Sequence, residues 1–333
     1  MLDLRRRQFI TLLSGAVAAW PLAARAQQRE KMRRIGVLLA AYTQTDREGQ
    51  TRIAAFLDTL GRLGWNDGRN IQIEYRWAAG DADRGKAFAA ELVRSAPDVI
   101  VVNGYPALAE LHRLTNMVAI VFTQVSDPVG SALVASLARP GGNITGFSNF
   151  EPEMGGKWVG VLKEAAPNVS RVAVVFGSDH APTIALLRAA EAVAPALAVE
   201  VIAVDVHADI EIERAIAGFA SQPDGGLIVT PHPRPTANRG LIIALAARYR
   251  LPAVYPFRYF ATEGGLMSYG PDQIDQWRGA ATYVDRILRG ERPSELPIQA
   301  PTKFELVINL KTAKALGLNI PPAFPLRADE VIE

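Results

Sequence analysis

Short apolar runs alternate with helical patterns along most of this chain, and the alternation is run through twice. Ile35-Gly36-Val37-Leu38-Leu39-Ala40 is an unbroken apolar run of strand length. Ile53, Phe56, Leu57, Leu60 and Leu63 then recur at helical spacing. Residues 71–77 alternate as a strand, Phe88, Leu92 and Val93 mark a helix, and Val99-Ile100-Val101-Val102 is a second apolar run. A short helix over 107–114 and a strand over 118–122 complete the unit. A strand that is apolar on both faces must be covered on both, so this order predicts a parallel sheet between helices. The order restarts at Val172, with strands over 172–176, 199–204, 227–229 and 252–255 and helices over 183–193, 210–219 and 237–247. The expected fold is α/β, with two doubly wound parallel-sheet lobes joined by a hinge of several crossings.

Punctuation repeats along with the pattern. Ala82-Asp83 opens a helix that Pro97 closes, and Ala208-Asp209 opens one that Pro223 closes, both at fourteen residues from Asp to Pro. Each Asp suits a helix N-cap and each Pro a helix stop. Between the halves, Arg139-Pro140-Gly141-Gly142-Asn143 reads as a turn and 144–148 as a strand crossing between lobes. Residues 264–270 look like a second crossing. Ile274, Trp277, Ala281, Val284 and Leu288 form the core stripe of a helix. The tail should pass as strand over 298–310 and as a short helix over 312–316. The expected division is 1–26 an export signal, 27–33 a tail, 34–146 with 270–296 the first lobe, and 147–269 with 297–333 the second.

The signal is read from Arg5-Arg6-Arg7-Gln8-Phe9-Ile10, an apolar run over 11–24, and Ala24-Arg25-Ala26. A basic segment, an apolar segment and an A-x-A site stand in the order that export requires. Arg6 and Arg7 followed by Phe9 fit the twin-arginine type, with cleavage after Ala24-x-Ala26; Thr11 replaces the usual basic residue, so Tat and Sec both stay open. Losing this leader turns the formal charge of +2 into about −1. The basic balance is then no argument for a nucleic-acid partner. The chain has no cysteine, hence neither disulfide nor lipid anchor, and a soluble monomeric periplasmic protein is expected.

Enzyme signatures are missing from the sequence. No H-E-x-x-H, G-x-S-x-G, Walker A or G-x-G-x-x-G motif occurs. Asp81-Ala82-Asp83 lacks the further acids of a calcium loop. No catalytic residue, metal site or cofactor is assigned.

Four segments carry a resemblance. They are Thr123-Gln124-Val125-Ser126-Asp127-Pro128-Val129-Gly130, the stretch 137–147 around Arg139-Pro140-Gly141-Gly142-Asn143, the stretch 264–270, and 301–318. With these the chain resembles ABC-transporter substrate-binding proteins of the tryptophan/tyrosine-binding branch, which have the type I periplasmic-binding fold. The resemblance covers essentially the whole mature chain. It implies two lobes that close on a small molecule and dock on a membrane permease driven by an ATPase.

Open parallel sheets bind ligands beyond the carboxyl ends of their strands. Those ends lead to Tyr42, Thr43 and Gln44, to Asn103 and Tyr105, and to Thr123, Ser126 and Asp127 in the first half. In the second they lead to Ser178, to Thr230, and to Phe257, with Ser148 and Tyr269 on the crossings. The aromatic rings could stack on an apolar body, helix N-termini suit a carboxylate, and Asp127 could pair with an ammonium or serve as a turn residue. An amino acid, aromatic or apolar, is the expected solute. A sensory protein of the same fold, a sugar-binding member and an enzyme on such a scaffold are the rival readings.

Overall fold

A computed structural model describes residues 32–206 and 208–333. The expected export signal, residues 1–26, lies outside the described residues. The first sheet has five parallel strands, β1 (Arg33–Leu39), β2 (Ile71–Trp77), β3 (Val99–Asn103), β4 (Ala119–Val125) and β5 (Ile144–Ser148), in the order β2-β1-β3-β4-β5. The second has seven: β6 (Arg171–Phe176), β7 (Glu200–Asp205), β8 (Gly225–Val229), β9 (Ala253–Tyr255), β10 (Met267–Pro271), β11 (Phe304–Asn309) and β12 (Glu330–Ile332). Its order is β12-β11-β10-β9-β8-β6-β7. The run β7-β6-β8-β9-β10 repeats the order of the first sheet, and of the second sheet's pairings only β10 with β11 is antiparallel.

The helices follow as α1 (Arg47–Arg62), α2 (Ala82–Arg94), α3 (Tyr105–Leu114), α4 (Met154–Ala165), α5 (Ala181–Val193), α6 (Asp209–Phe219), α7 (Pro233–Ala237), α8 (Arg239–Arg248), α9 (Arg258–Thr262), α10 (Gln273–Leu288) and α11 (Leu310–Ala315). Alternation along β1 sends its side chains into two cores. Ile35, Val37 and Leu39 pack with Phe56 and Trp277, whose rings meet edge-on at 6.0 Å. Leu38 joins Ile100, Val102, Leu92 and Leu108 on the other face. A parallel sheet buried on both sides needs apolar residues at successive positions, which is why these strands show no polar alternation.

The chain passes between the sheets three times. It leaves β5 for α4 through 149–153, leaves β10 for α10 at Asp272, and returns from α10 to β11 through 297–303. Helix α10 packs on α1, β3, β4 and β5, although β10 just before it lies in the other sheet.

Several expectations shift. Residues 144–148 form the edge strand of the first sheet, and the crossing follows them. Residues 267–271 are an interior strand of the second sheet. Of 298–310 only Phe304–Asn309 is strand, because Pro297 and Pro301 cannot serve a ladder; before it a single bridge joins Phe147 to Gln299. The cap of α2 is Asp81, which accepts from Arg84 N, and Asp83 lies in the first turn. Asp209 likewise lies inside α6, whose N-cap position is Ala208. Ile274, at the start of the α10 stripe, is only partly buried. Helix α4 was not foreseen, though Met154, Trp158, Leu162 and Ala165 bury one stripe of it.

Candidate functional site

Asn103 ends β3 at the point where the strand order of the first sheet reverses, between β1 and β3. Its Oδ1 accepts from Ala40 N at 3.0 Å and its Nδ2 donates to Gln124 Oε1. Gln124 sits on an irregularity of β4 with φ +57°. Asp127, three residues on, also lies in the left-handed region, at φ +41°. Non-glycine residues pay for this conformation and hold it where the surroundings dictate it. Here the surroundings are Gln276, whose Oε1 accepts from Gln124 N at 3.1 Å. Its Nε2 donates to Ser148 O at 3.0 Å and to Asn149 Oδ1 at 2.9 Å. One buried glutamine of α10 thus fixes both the floor of the site and a lobe crossing.

Side chains from the second sheet close over this floor. The Tyr105 ring meets His180 at 4.8 Å, and His180 meets His232 at 5.2 Å. The Tyr42 and Tyr259 side chains are both buried beside this floor. Arg52 lies over both rings, 4.9 Å from Tyr42 and 5.2 Å from Tyr259. Gly80 has φ +79°, and a Cβ there would come within 2.8 Å of Ala237 Cβ in the opposite lobe. At the rim, Arg239 forks onto Asp46 with contacts of 2.8 and 3.1 Å, and it also pairs with Glu263.

Between the strand ends remains a cavity of about 20 Å³, lined by Tyr42, Asn103, Tyr105, Gln124, His232 and Phe257 among others. Beside it opens a groove of about 390 Å³, with Arg52, Tyr259 and Gln273 in its walls. A larger hollow of about 620 Å³ lies at the amino ends of β6 and β8. That is the wrong end for a doubly wound sheet, so size alone does not mark the site.

Burial dominates the electrostatics. It raises the Tyr42 and Tyr259 hydroxyls above their ordinary range. It holds His180 well below its ordinary value, and neither His180 nitrogen has a partner. The Thr123 hydroxyl is likewise buried and unpartnered. His232 Nδ1 accepts from Arg234 N at 3.2 Å, while Nε2 lies 3.3 Å from Asp179 Oδ1. The adjacent His232 imidazole draws the Asp179 carboxyl down to about 2, against some desolvation.

The residues expected from sequence divide. Tyr42, Asn103, Tyr105 and Phe257 line the strand-end cavity, and Thr123 stands beside Asn103 in the sheet. Ser126 and Ser148 are buried behind it, Ser148 O being held by Gln276. Thr230 is buried, with its hydroxyl committed to Val175 O at 2.9 Å. Thr43 and Ser178 are exposed and line none of these cavities. Asp127 is a turn residue whose Oδ1 accepts from Gly130 N at 2.8 Å. Tyr269 packs on Phe304 at 6.0 Å, while its carbonyl accepts from Trp158 Nε1.

Arg52, Gln273 and Gln276 were not expected, whereas Gln124 and Tyr259 lie in the strand-end loops 123–127 and 257–259 that topology pointed to. Arg52 had a readable signal, since it lies one turn before Phe56 on the apolar stripe of α1 and a charge there needs a buried partner. Gln273 and Gln276, three apart and flanking the core stripe of α10, carried the same kind of signal. No group of histidine, aspartate and glutamate suited to a metal ion occurs among the described residues, and no helix among them is long and apolar enough to cross a membrane.

Comparison with known proteins fits this geometry. The family model for ABC transporter substrate binding proteins matches residues 48–332. A tyrosine-binding protein of Clostridioides difficile is 24% identical over 269 residues, 79% of this chain and 75% of the relative. An ABC domain from Streptococcus pneumonia in complex with L-Trp superposes with a TM-score of 0.82 at 24% identity, covering 91% of this chain and all of that one. The ligand-free, open structure of a Clostridium difficile substrate binding protein reaches only 0.63, at 21% identity and over 91% of this chain and 99% of that one. In this chain the two lobes touch across the cleft, through Tyr105 on His180 and Arg239 on Asp46. The chain belongs to the ABC transporter substrate binding protein family, as a solute-binding component of an ABC transporter and not an enzyme.

Proposed function

We propose that this protein captures an aromatic amino acid between its lobes and presents it to an ABC permease by hinge closure. The observation that carries this reading is the convergence of buried, unpartnered polar atoms, Gln124 Nε2 in the cavity wall and both His180 nitrogens beside the Tyr105 ring, with the aromatic rings of Tyr42, Tyr105 and Phe257. Buried polar groups left unpaired cost free energy. A solute that reaches both lobes and pairs with them favours the closed form and shifts the population towards it. The rings supply the apolar body that such a solute needs. The tyrosine-binding relative and the L-Trp complex support the same solute class.

Export places this receptor in the periplasm. The leader carries the twin-arginine pair Arg6-Arg7 and ends at Ala24-Arg25-Ala26, and no cysteine is available for a lipid anchor. Replacing both arginines with lysine should leave the unprocessed chain inside the cell. Normal processing of that variant would overturn the Tat assignment in favour of Sec.

The binding test is a thermal-shift and calorimetry screen on mature protein refolded free of solute. Tyrosine or tryptophan should stabilise it by about 2.7 kcal/mol at a hundredfold excess over Kd. A screen of amino acids and aromatic acids in which neither tyrosine nor tryptophan stabilises the protein would refute the reading.

A further inference from the structure

The strand-end cavity, at about 20 Å³, does not hold an amino acid, whereas the neighbouring groove of about 390 Å³ is within the usual range for small-molecule sites. Its walls come from both lobes. Glu48, Thr51 and Arg52 of α1 and Asp272 and Gln273 at the start of α10 face Arg258 and Tyr259 of α9 and Glu305 of β11. Arg52 is 1% exposed and Gln273 is 5% exposed. Arg52 Nη1 is held by Glu48 and its Nη2 donates to Gln273 Oε1. Arg52 Nε and Gln273 Nε2 have no acceptor. Two buried N–H donors on adjacent side chains, one of them cationic, are matched by a carboxylate. Asp272, which caps α10 through Ile274 N, and Glu305, which also meets Lys303 at 3.1 Å, bring two carboxylates to the groove wall. Glu48 occupies only Nη1 of Arg52, so the Nε edge and the Gln273 amide stay open to a carboxylate, while Asp272 and Glu305, with Arg258 beside them, offer acceptors to an ammonium.

We propose that the groove takes the zwitterionic head of the solute, with Arg52 and Gln273 holding the α-carboxylate and the Asp272–Glu305 rim holding the α-ammonium. Tyr42, which lines the strand-end cavity, and Tyr259, which lines the groove, both lie against Arg52, so the head-group site adjoins the rings that take the side chain. This rests on the reading of the protein as an amino-acid receptor, and it makes Arg52 the residue that distinguishes an amino acid from the corresponding amine.

The test measures binding of three matched sets to the mature chain. They are tryptophan, tryptamine and indole-3-propionate; tyrosine, tyramine and 4-hydroxyphenylpropionate; and leucine, isoamylamine and 4-methylpentanoate. The wild type should bind an amino acid at least about a hundredfold more tightly than its amine. Arg52→Met should reduce that preference to within about threefold, and Gln273→Ala should reduce it partially. Asp272→Asn keeps an N-cap residue and should reduce the preference for the amino acid over the deaminated acid. The ratios separate head-group recognition from lost packing, which would weaken all three compounds of a set alike. An unchanged acid-to-amine ratio in Arg52→Met and Gln273→Ala overturns the assignment while leaving the receptor reading intact. Arg52-dependent binding of the leucine set alone supports the assignment and overturns the aromatic preference. No binding of any amino acid overturns both.

Discussion

Replacing Asp46 with Asn should open the lobes. Asp46 caps α1 in the first lobe and receives both Nη atoms of Arg239 from the second, with contacts of 2.8 and 3.1 Å. The two side chains are 11% and 14% exposed, so solvent screens the pair weakly. Removing one member of a buried pair costs about 3–5 kcal/mol when nothing compensates. Here Arg239 keeps Glu263, and Asn keeps the cap and an acceptor oxygen. The loss should fall to about 2 kcal/mol, in the range of a hydrogen bond to a charged group. Because the bond joins the lobes, the whole cost falls on the closed form, and about 2 kcal/mol is roughly a thirtyfold change in the closing equilibrium. Where the free protein is mostly open, calorimetry should read this as a Kd about thirtyfold weaker. Where it is mostly closed, solution scattering should show the free variant expanded. A Kd within twofold of wild type together with unchanged scattering would refute the latch.

Acid should weaken binding through His180. Burial holds its pKa well below the ordinary value in the closed form, against the proximity of Asp179, and opening would return it to about 6.5. The closed form thus binds fewer protons, so closure is fully favoured above that value and loses ground as pH falls below it; calorimetry from pH 7.5 to 5 should show Kd rising, and His180→Asn should flatten the curve. Gly155→Ala places a Cβ 1.9 Å from Leu186 O where α4 meets α5, and should lower stability to urea by about 2 kcal/mol or more. Gln276→Met removes the partners of Gln124 N, Ser148 O and Asn149 Oδ1. At about 1–3 kcal/mol for each buried group left unpaired, it should lower the melting temperature and weaken solute binding, and a variant with wild-type values would remove Gln276 from the account.

Much of the architecture was legible because it is written in local pattern. Apolar runs such as 99–102 fit only a strand buried on both faces, and the restart at Val172 foretold a second sheet. The crossings were harder. Residues 144–148 look the same to a sequence reader whether they end one sheet or bridge two; the pairing partner decides, and β4 lies more than twenty residues upstream in the chain. Site residues at strand ends could be found from topology, which is how Tyr42, Asn103 and Phe257 came into view. Residues that reach the cleft from a helix could not be found in that way. Arg52 and Gln276 project from the packed faces of α1 and α10, where the signal is a polar group set on or beside an apolar stripe and not a place in the topology. Asp127, which the sequence left open between an ammonium partner and a turn residue, accepts from Gly130 N within its own turn.

The most direct test of two lobes closing on a solute is small-angle scattering of the mature chain, stripped of solute and then saturated with tyrosine or tryptophan. The account predicts that the radius of gyration falls on saturation, to the value calculated from the closed arrangement described above. A saturated protein that remains as extended as the stripped one, or a stripped one that is no more extended than the closed form and gains no stability from either amino acid, would contradict it.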